Sequence, residues 1–145
     1  MKIKAIEHFS LAVQDFDRSV SFYREVFGFV PVFEERGMTR DIRSMTGLSE
    51  VSCDLAQLAP PGGGATLELI AFAGHELAAP DLPLPAGCGH IGIEVDDLDA
   101  ALEAVCNAGA QPIGETTGFP EGRSRYCREP GGSYFELLEL RPPDL

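Results

Sequence analysis

Polar and apolar positions in "EHFSLAVQDFDRSVSFYREVFGF" change period part-way along. From His8 to Val13 they alternate, with Phe9, Leu11 and Val13 on one side and His8, Ser10 and Ala12 on the other, as in a half-buried strand. Phe16, Val20, Tyr23 and Phe27 then recur at helical spacing. Asp15 or Asp17 is placed to cap that helix, and Gly28 to end it. The stretch "GHIGIEVDDLDAALEAVCNAGA" is built the same way: Ile91, Ile93 and Val95 alternate against His90, Gly92 and Glu94. Asp97 or Asp99 then precedes a stripe of Leu98, Leu102 and Val105, and Gly109 closes the helix. Sliding the first segment along until His8 meets His90 puts Val13 on Val95, Asp15 on Asp97 and Val20 on Leu102.

The ends of the two halves match as well. "PGGGATLELI" and "EPGGSYFELLEL" each run from proline through glycines into a short apolar strand and then Glu-Leu, which sets Glu68 beside Glu136. Self-similarity of this kind signals two copies of one supersecondary unit. Each copy reads as a strand, a helix, and several strands ending in a Gly-rich hairpin. In the first copy "VPVFEERG" supplies a second strand and "VSCDLAQLA" a third, while "MTRDIRSMTGLSE" between them reads as irregular chain. In the second, a short strand near Gln111, a loop and then "SRYCRE" are expected. The proline-dense stretch beginning "HELAAPDLPLP" reads as a connector over 75–87, joining module 1 (1–74) to module 2 (88–145) within one domain.

Four polar residues then stand at matching places: His8 and His90 on the first strands, Glu68 and Glu136 on the last. Thr66 and Glu68 share one face of "TLELI" against Leu67 and Leu69. Tyr134 and Glu136 likewise oppose Phe135 and Leu137. All four groups therefore project away from the helices. A carboxylate set into an apolar strand is costly unless a positive charge meets it. Two imidazoles and two carboxylates suit a divalent metal, which cancels the acid charge. Taken singly, His8 is equally read as a hydrogen-bonded strand histidine, and Glu136 as an edge charge that blocks aggregation. Recurrence in a duplicated unit favours the metal.

Composition narrows the setting. The chain has 145 residues and a formal charge of -12, which argues against a nucleic-acid partner. It has no apolar run long enough for a membrane span, nor one behind the N-terminal lysines suited to a signal peptide. The four cysteines, Cys53, Cys88, Cys106 and Cys127, form no Cys-x-x-Cys pair, so reduced packing thiols in a cytoplasmic protein are expected. "PPGGGA" precedes a strand and lacks a following Lys-Ser/Thr, so it reads as a hairpin rather than a phosphate loop. Of the three histidines, His75 is left over and reads as an exposed loop residue. Arg40 and Arg43, or Arg123, Arg125 and Arg128, are candidate anchors for a substrate anion, or else simply solvated or paired with neighbouring acids.

From "IEHFSLAVQD" through "SFYREVFGF", "TLELI" and "GHIGIEVDDLDAAL" to "REPGGSYFELLEL", the chain resembles the vicinal oxygen chelate superfamily, which includes glyoxalase I, methylmalonyl-CoA epimerase, extradiol dioxygenases and bleomycin-resistance proteins. The resemblance implies an α+β fold: two tandem βαβββ modules forming a curved, incompletely closed sheet around a metal, with helices outside. It implies His8, Glu68, His90 and Glu136 as ligands of nickel, cobalt, zinc, manganese or iron(II), held within one chain or across a dimer. It further implies a small-molecule substrate bound through neighbouring oxygens, and a proton shifted through an enolate or enediolate. The two-His, two-Glu set is similar to that of glyoxalase I, and by that likeness Glu136 is the catalytic base, with Glu68 the alternative. Epimerase members usually carry Gln where Glu68 stands, and an epimerase-like reading makes Glu50 a candidate base that is otherwise a solvated loop charge. Metal-free sequestration of the bleomycin-resistance kind and iron(II) ring-opening dioxygenation are the alternative functions. Exposed sheet edges lead us to expect a homodimer.

Overall fold

The element order is the duplicated one: β1 (His8–Ala12), α1 (Phe16–Phe27), β2 (Val30–Met38), α2 (Arg40–Thr46), β3 (Ser52–Ala59) and β4 (Thr66–Ala73), then β5 (His90–Glu94), α3 (Leu98–Asn107), β6 (Gln111–Phe119), β7 (Gly122–Arg128) and β8 (Tyr134–Leu140). This computed structural model describes residues 1–74 and 83–141. His75 and the first part of the expected connector lie outside the described residues. The chain divides into two compact units, one from each half. Each carries a four-stranded mixed sheet, ordered β1-β4-β3-β2 in the first and β5-β8-β7-β6 in the second, and neither sheet closes on itself. The fold is α+β, built from two βαβββ modules.

In the first unit β1 runs parallel to β4, with His8 opposite Thr66 and Ser10 opposite Glu68. The other pairings are antiparallel. Leu11, Leu67, Leu69, Leu58 and Ala56 are buried, on the sheet side served by α1, whose Phe16, Val20 and Tyr23 are buried too. Each of the leucines, Phe16 and Val20 stabilises the fold by about 1.5–3 kcal/mol on burial. Phe9, expected beside Leu11, is 52% exposed, as an edge-strand position outside the helix's cover can be. Of the two candidate caps, Asp15 is the one used: its carboxylate accepts the Arg18 N–H at 3.1 Å. Asp17 lies in the first turn and pairs with Arg36. Gly28, at φ 70, ends the helix.

The expected irregular segment after β2 instead forms α2. Its Ile42 packs with Val51, Cys53 and Ile70, and Met38, Leu55 and Phe72 close around them. Ile70, Leu55 and Cys53 lie on the same sheet face as Glu68, because Leu55 pairs with Ile70 and Gln57 with Glu68. That face is therefore polar at one end and capped by a helix at the other, which is why β4 loses its alternation after Leu69. At Gly74, φ 84, an added Cβ would lie 2.0 Å from the Glu50 carbonyl oxygen, so the chain leaves β4 through a position open only to glycine.

The second unit repeats the plan without, among its described residues, a counterpart of α2. β5 runs parallel to β8, with His90 opposite Tyr134 and Gly92 opposite Glu136. Asp97 rather than Asp99 caps α3, accepting the Asp99 and Ala100 N–H groups at 3.0 Å. The loop expected after Gln111 is instead a long strand, β6, which hairpins directly into β7.

All four cysteines are free thiols. Burial pushes the Cys127 thiol up to about 11 and raises that of Cys53 as well, whereas Cys106 is exposed. Since the thiolate is the reactive form, Ellman's reagent at pH 8 should modify Cys106 rapidly and reach Cys53 and Cys127 only after denaturation. Equal rates at all positions would contradict this packing.

Candidate metal centre

Each unit brings its histidine and glutamate together on neighbouring parallel strands. His8 Nε2 lies 3.9 Å from the Glu68 carboxylate, and His90 Nε2 lies 3.4 Å from that of Glu136. The acids are deeper than the imidazoles: Glu68 and Glu136 side chains are 13% and 18% exposed, against 39% and 34% for His8 and His90. The alternation along these strands predicts each pair on the face opposite the helix. The register supplies what it lacked: each glutamate sits two residues beyond the histidine's own partner, on the same side.

The surroundings of the two pairs differ. In the first unit the ring Nδ1–H of His8 donates to Glu7, and this hydrogen bond raises the imidazole above its ordinary pKa. Ser10 Oγ donates to Glu68 at 2.8 Å, and Gln57 Nε2 approaches the other carboxylate oxygen at 3.4 Å. In the second unit, Tyr126 occupies the place opposite Glu136 that Gln57 holds opposite Glu68, and its ring meets His90 edge-on at 4.8 Å between centroids. Glycine stands at Gly92, where the first unit has Ser10. Ser10, Gln57 and Tyr126 were not recognised as site residues from sequence, because only cross-strand register reveals them.

Do these donors fit a dication? Bonds of about 2.0–2.2 Å place two donors on one ion about 3.0 Å apart at a right angle and about 3.4 Å apart in a tetrahedron. The His90–Glu136 separation of 3.4 Å meets that span, and the 3.9 Å of His8–Glu68 is within a small side-chain rotation of it. Mixed imidazole nitrogen and carboxylate oxygen suit first-row divalent metals. The Glu7–His8 contact is the kind of outer hydrogen bond that fixes a ligating ring. The residues fit the ion pair by pair. Among the described residues, no group of three or more His, Cys, Asp or Glu side chains is gathered for one.

The candidate anion-binding arginines are largely occupied. Arg40 pairs with Asp41, and Arg43 donates to the Val51 carbonyl at 2.9 Å. Arg123 bridges Asp99 and Glu139, which holds Glu139 below the usual carboxylate range. Arg128 lies over the Tyr134 ring. Arg125 Nε is buried without a hydrogen-bond partner among the described residues. Glu50, the alternative base, is exposed in the turn before β3.

A duplicated βαβββ unit presenting a His-Glu pair from each copy defines a class of scaffold, and the sequence agrees. The profile of the Glyoxalase/Bleomycin resistance protein/Dioxygenase superfamily matches residues 5–137, and the chain belongs to that superfamily. Curated protein sequences give no match. Among solved structures, a glyoxalase family protein from Bacillus cereus superposes with a TM-score of 0.81 at 22% identity, covering 98% of this chain and 97% of its own. Lactoylglutathione lyase from Agrobacterium tumefaciens gives 0.61 at 23% identity, covering 96% of each chain. The fosfomycin resistance protein FosX from Listeria monocytogenes, complexed with Mn(II) and sulfate, gives 0.64 at 17% identity, covering 97% of this chain and 95% of its own.

Proposed function

We propose that His8, Glu68, His90 and Glu136 together bind a divalent metal ion, and that the protein is a metal-dependent lyase or isomerase of the glyoxalase type. The observation that carries this reading is the repeat of one arrangement: in both modules a histidine Nε2 faces a half-buried glutamate at 3.4–3.9 Å across parallel strands. A structural histidine or an edge-strand acid has no reason to recur as a pair. The Mn(II) complex of FosX supports a dication on this scaffold.

A bound dication supplies Lewis-acid stabilisation of negative charge developing on a substrate oxygen. The chain supplies the rest. Glu136 takes a proton from the carbon beside a substrate carbonyl, the C–H electron pair moves towards the carbonyl oxygen, and the proton is returned to a neighbouring carbon or to the original one. The substrate is a small molecule with neighbouring oxygens. The assembly we expect is a cytoplasmic homodimer, in keeping with four free thiols and with β2, an edge strand that exposes Val30 and Val32.

Protein purified without a metal-binding tag, from cells grown on mixed trace metals, should carry nickel, cobalt, zinc, manganese or iron. After chelator treatment, returning the metal should raise Tm. Saturation at about 1,000 times Kd adds about 4 kcal/mol. No bound metal and no thermal shift with any of the five would overturn the proposal. Oxygen uptake with catechols by iron-loaded protein would instead indicate ring opening. Tight antibiotic binding by metal-free protein would indicate sequestration.

A further inference from the structure

Comparison of the two copies shows where they have diverged. At the same register position Glu68 faces a serine and a glutamine, and Glu136 faces a glycine and a tyrosine. The serine hydroxyl donates to Glu68 Oε1 at 2.8 Å while the glutamine amide reaches Oε2 at 3.4 Å, so both oxygens are engaged. Glu136 has, among the described residues, only the His90 ring against its carboxylate.

Resting on the metal-binding reading above, we propose that Ser10, assisted by Gln57, is a positioning residue that fixes the Glu68 carboxylate as a ligand of the ion. A ligating carboxylate held by outer hydrogen bonds keeps one rotamer and loses little freedom when the ion binds. At Gly92 the place of the Ser10 side chain is taken instead by Leu138, whose Cδ1 would lie 2.9 Å from an added Cβ, so no hydroxyl meets Glu136 there.

The test uses the full chain with cobalt(II) and manganese(II) as probes: titration calorimetry for affinity and the visible absorption of bound cobalt for ligand geometry. Ser10→Ala should weaken both metals about 10-fold, the lower end of what loss of an outer-shell partner costs, and should alter the cobalt spectrum. Ser10→Thr, which keeps the hydroxyl, should restore both. Ser10 is exposed on an edge strand, so these variants should melt close to wild type. Should wild type bind neither metal, the reading of the site fails and takes the positioning role with it. Should wild type bind them while Ser10→Ala does so with the same affinity and spectrum, the positioning role alone is overturned.

Discussion

Glu136→Gln is expected to lower cobalt(II) and manganese(II) affinity by on the order of 100-fold or more while leaving the metal-free protein as stable as wild type. The substitution keeps the volume and removes the anion. Losing an outer-shell partner typically costs about 10–100-fold in affinity, and a charged ligand itself contributes more than its supports do. The metal-free protein should hardly respond, because Glu136 faces His90 with its side chain 18% exposed, and a partly solvated pair of this kind adds only about 0–1 kcal/mol. Thermal melts with and without metal separate the two effects: the apo melts should coincide, and the metal-dependent rise in Tm should largely disappear. If the variant keeps that rise, Glu136 is not a ligand. The same substitution removes the proposed base, for which general-base catalysis ordinarily accounts for about 10²–10⁴-fold in rate.

Much of this architecture was legible because the chain states it twice. The switch from period 2 to period 3.6 and the acid just before each helix identify β1–α1 and β5–α3. The paired recurrence of histidine and glutamate marks the site residues. What stayed hidden has physical reasons. α2 is only Arg40–Thr46 and buries Ile42 alone, too short to show a stripe. β6 is exposed along nearly its whole length, so its Thr- and Gly-rich sequence has no face to alternate against. Ser10 and Gln57 come from separate strands, and their meeting at Glu68 depends on a register that side-chain patterning does not specify. The choice between Asp15 and Asp17 turns on where the helix begins: α1 starts at Phe16, which leaves Asp17 inside the first turn, paired with Arg36 of β2.

The largest effect on folding should come from a residue the patterning passed over. Glu129, in "REPGGSYF", is 2% exposed, an unusual place for an acid. Its carboxylate accepts the Gly131 N–H through one oxygen, and through the other the Ser133 N–H at 2.8 Å and the Ser133 hydroxyl at 2.9 Å. Its own N–H donates to the Ser133 carbonyl at 2.9 Å, and its carbonyl accepts from Gly132 at 3.0 Å. The acid thus serves as the inner surface of the β7–β8 turn. Glu129→Ala removes three acceptor contacts and strands two backbone donors in a buried turn, each at about 1–3 kcal/mol. We expect a loss of about 3–5 kcal/mol by urea denaturation, a large share of the roughly 5–15 kcal/mol holding a typical domain together. Glu129→Gln should recover only part of this, since its amide nitrogen presents a donor where a backbone N–H already points. A loss below about 1 kcal/mol for Glu129→Ala would show that the turn holds itself. The consequence reaches the proposed site, because this turn sets the register that places Tyr126 opposite Glu136 and Arg128 opposite Tyr134. A slip of one residue would carry Glu136 to the helix side of the sheet and bring Phe135 or Leu137 to face His90. A destabilised Glu129 variant that still folds should therefore lose metal affinity as well as stability.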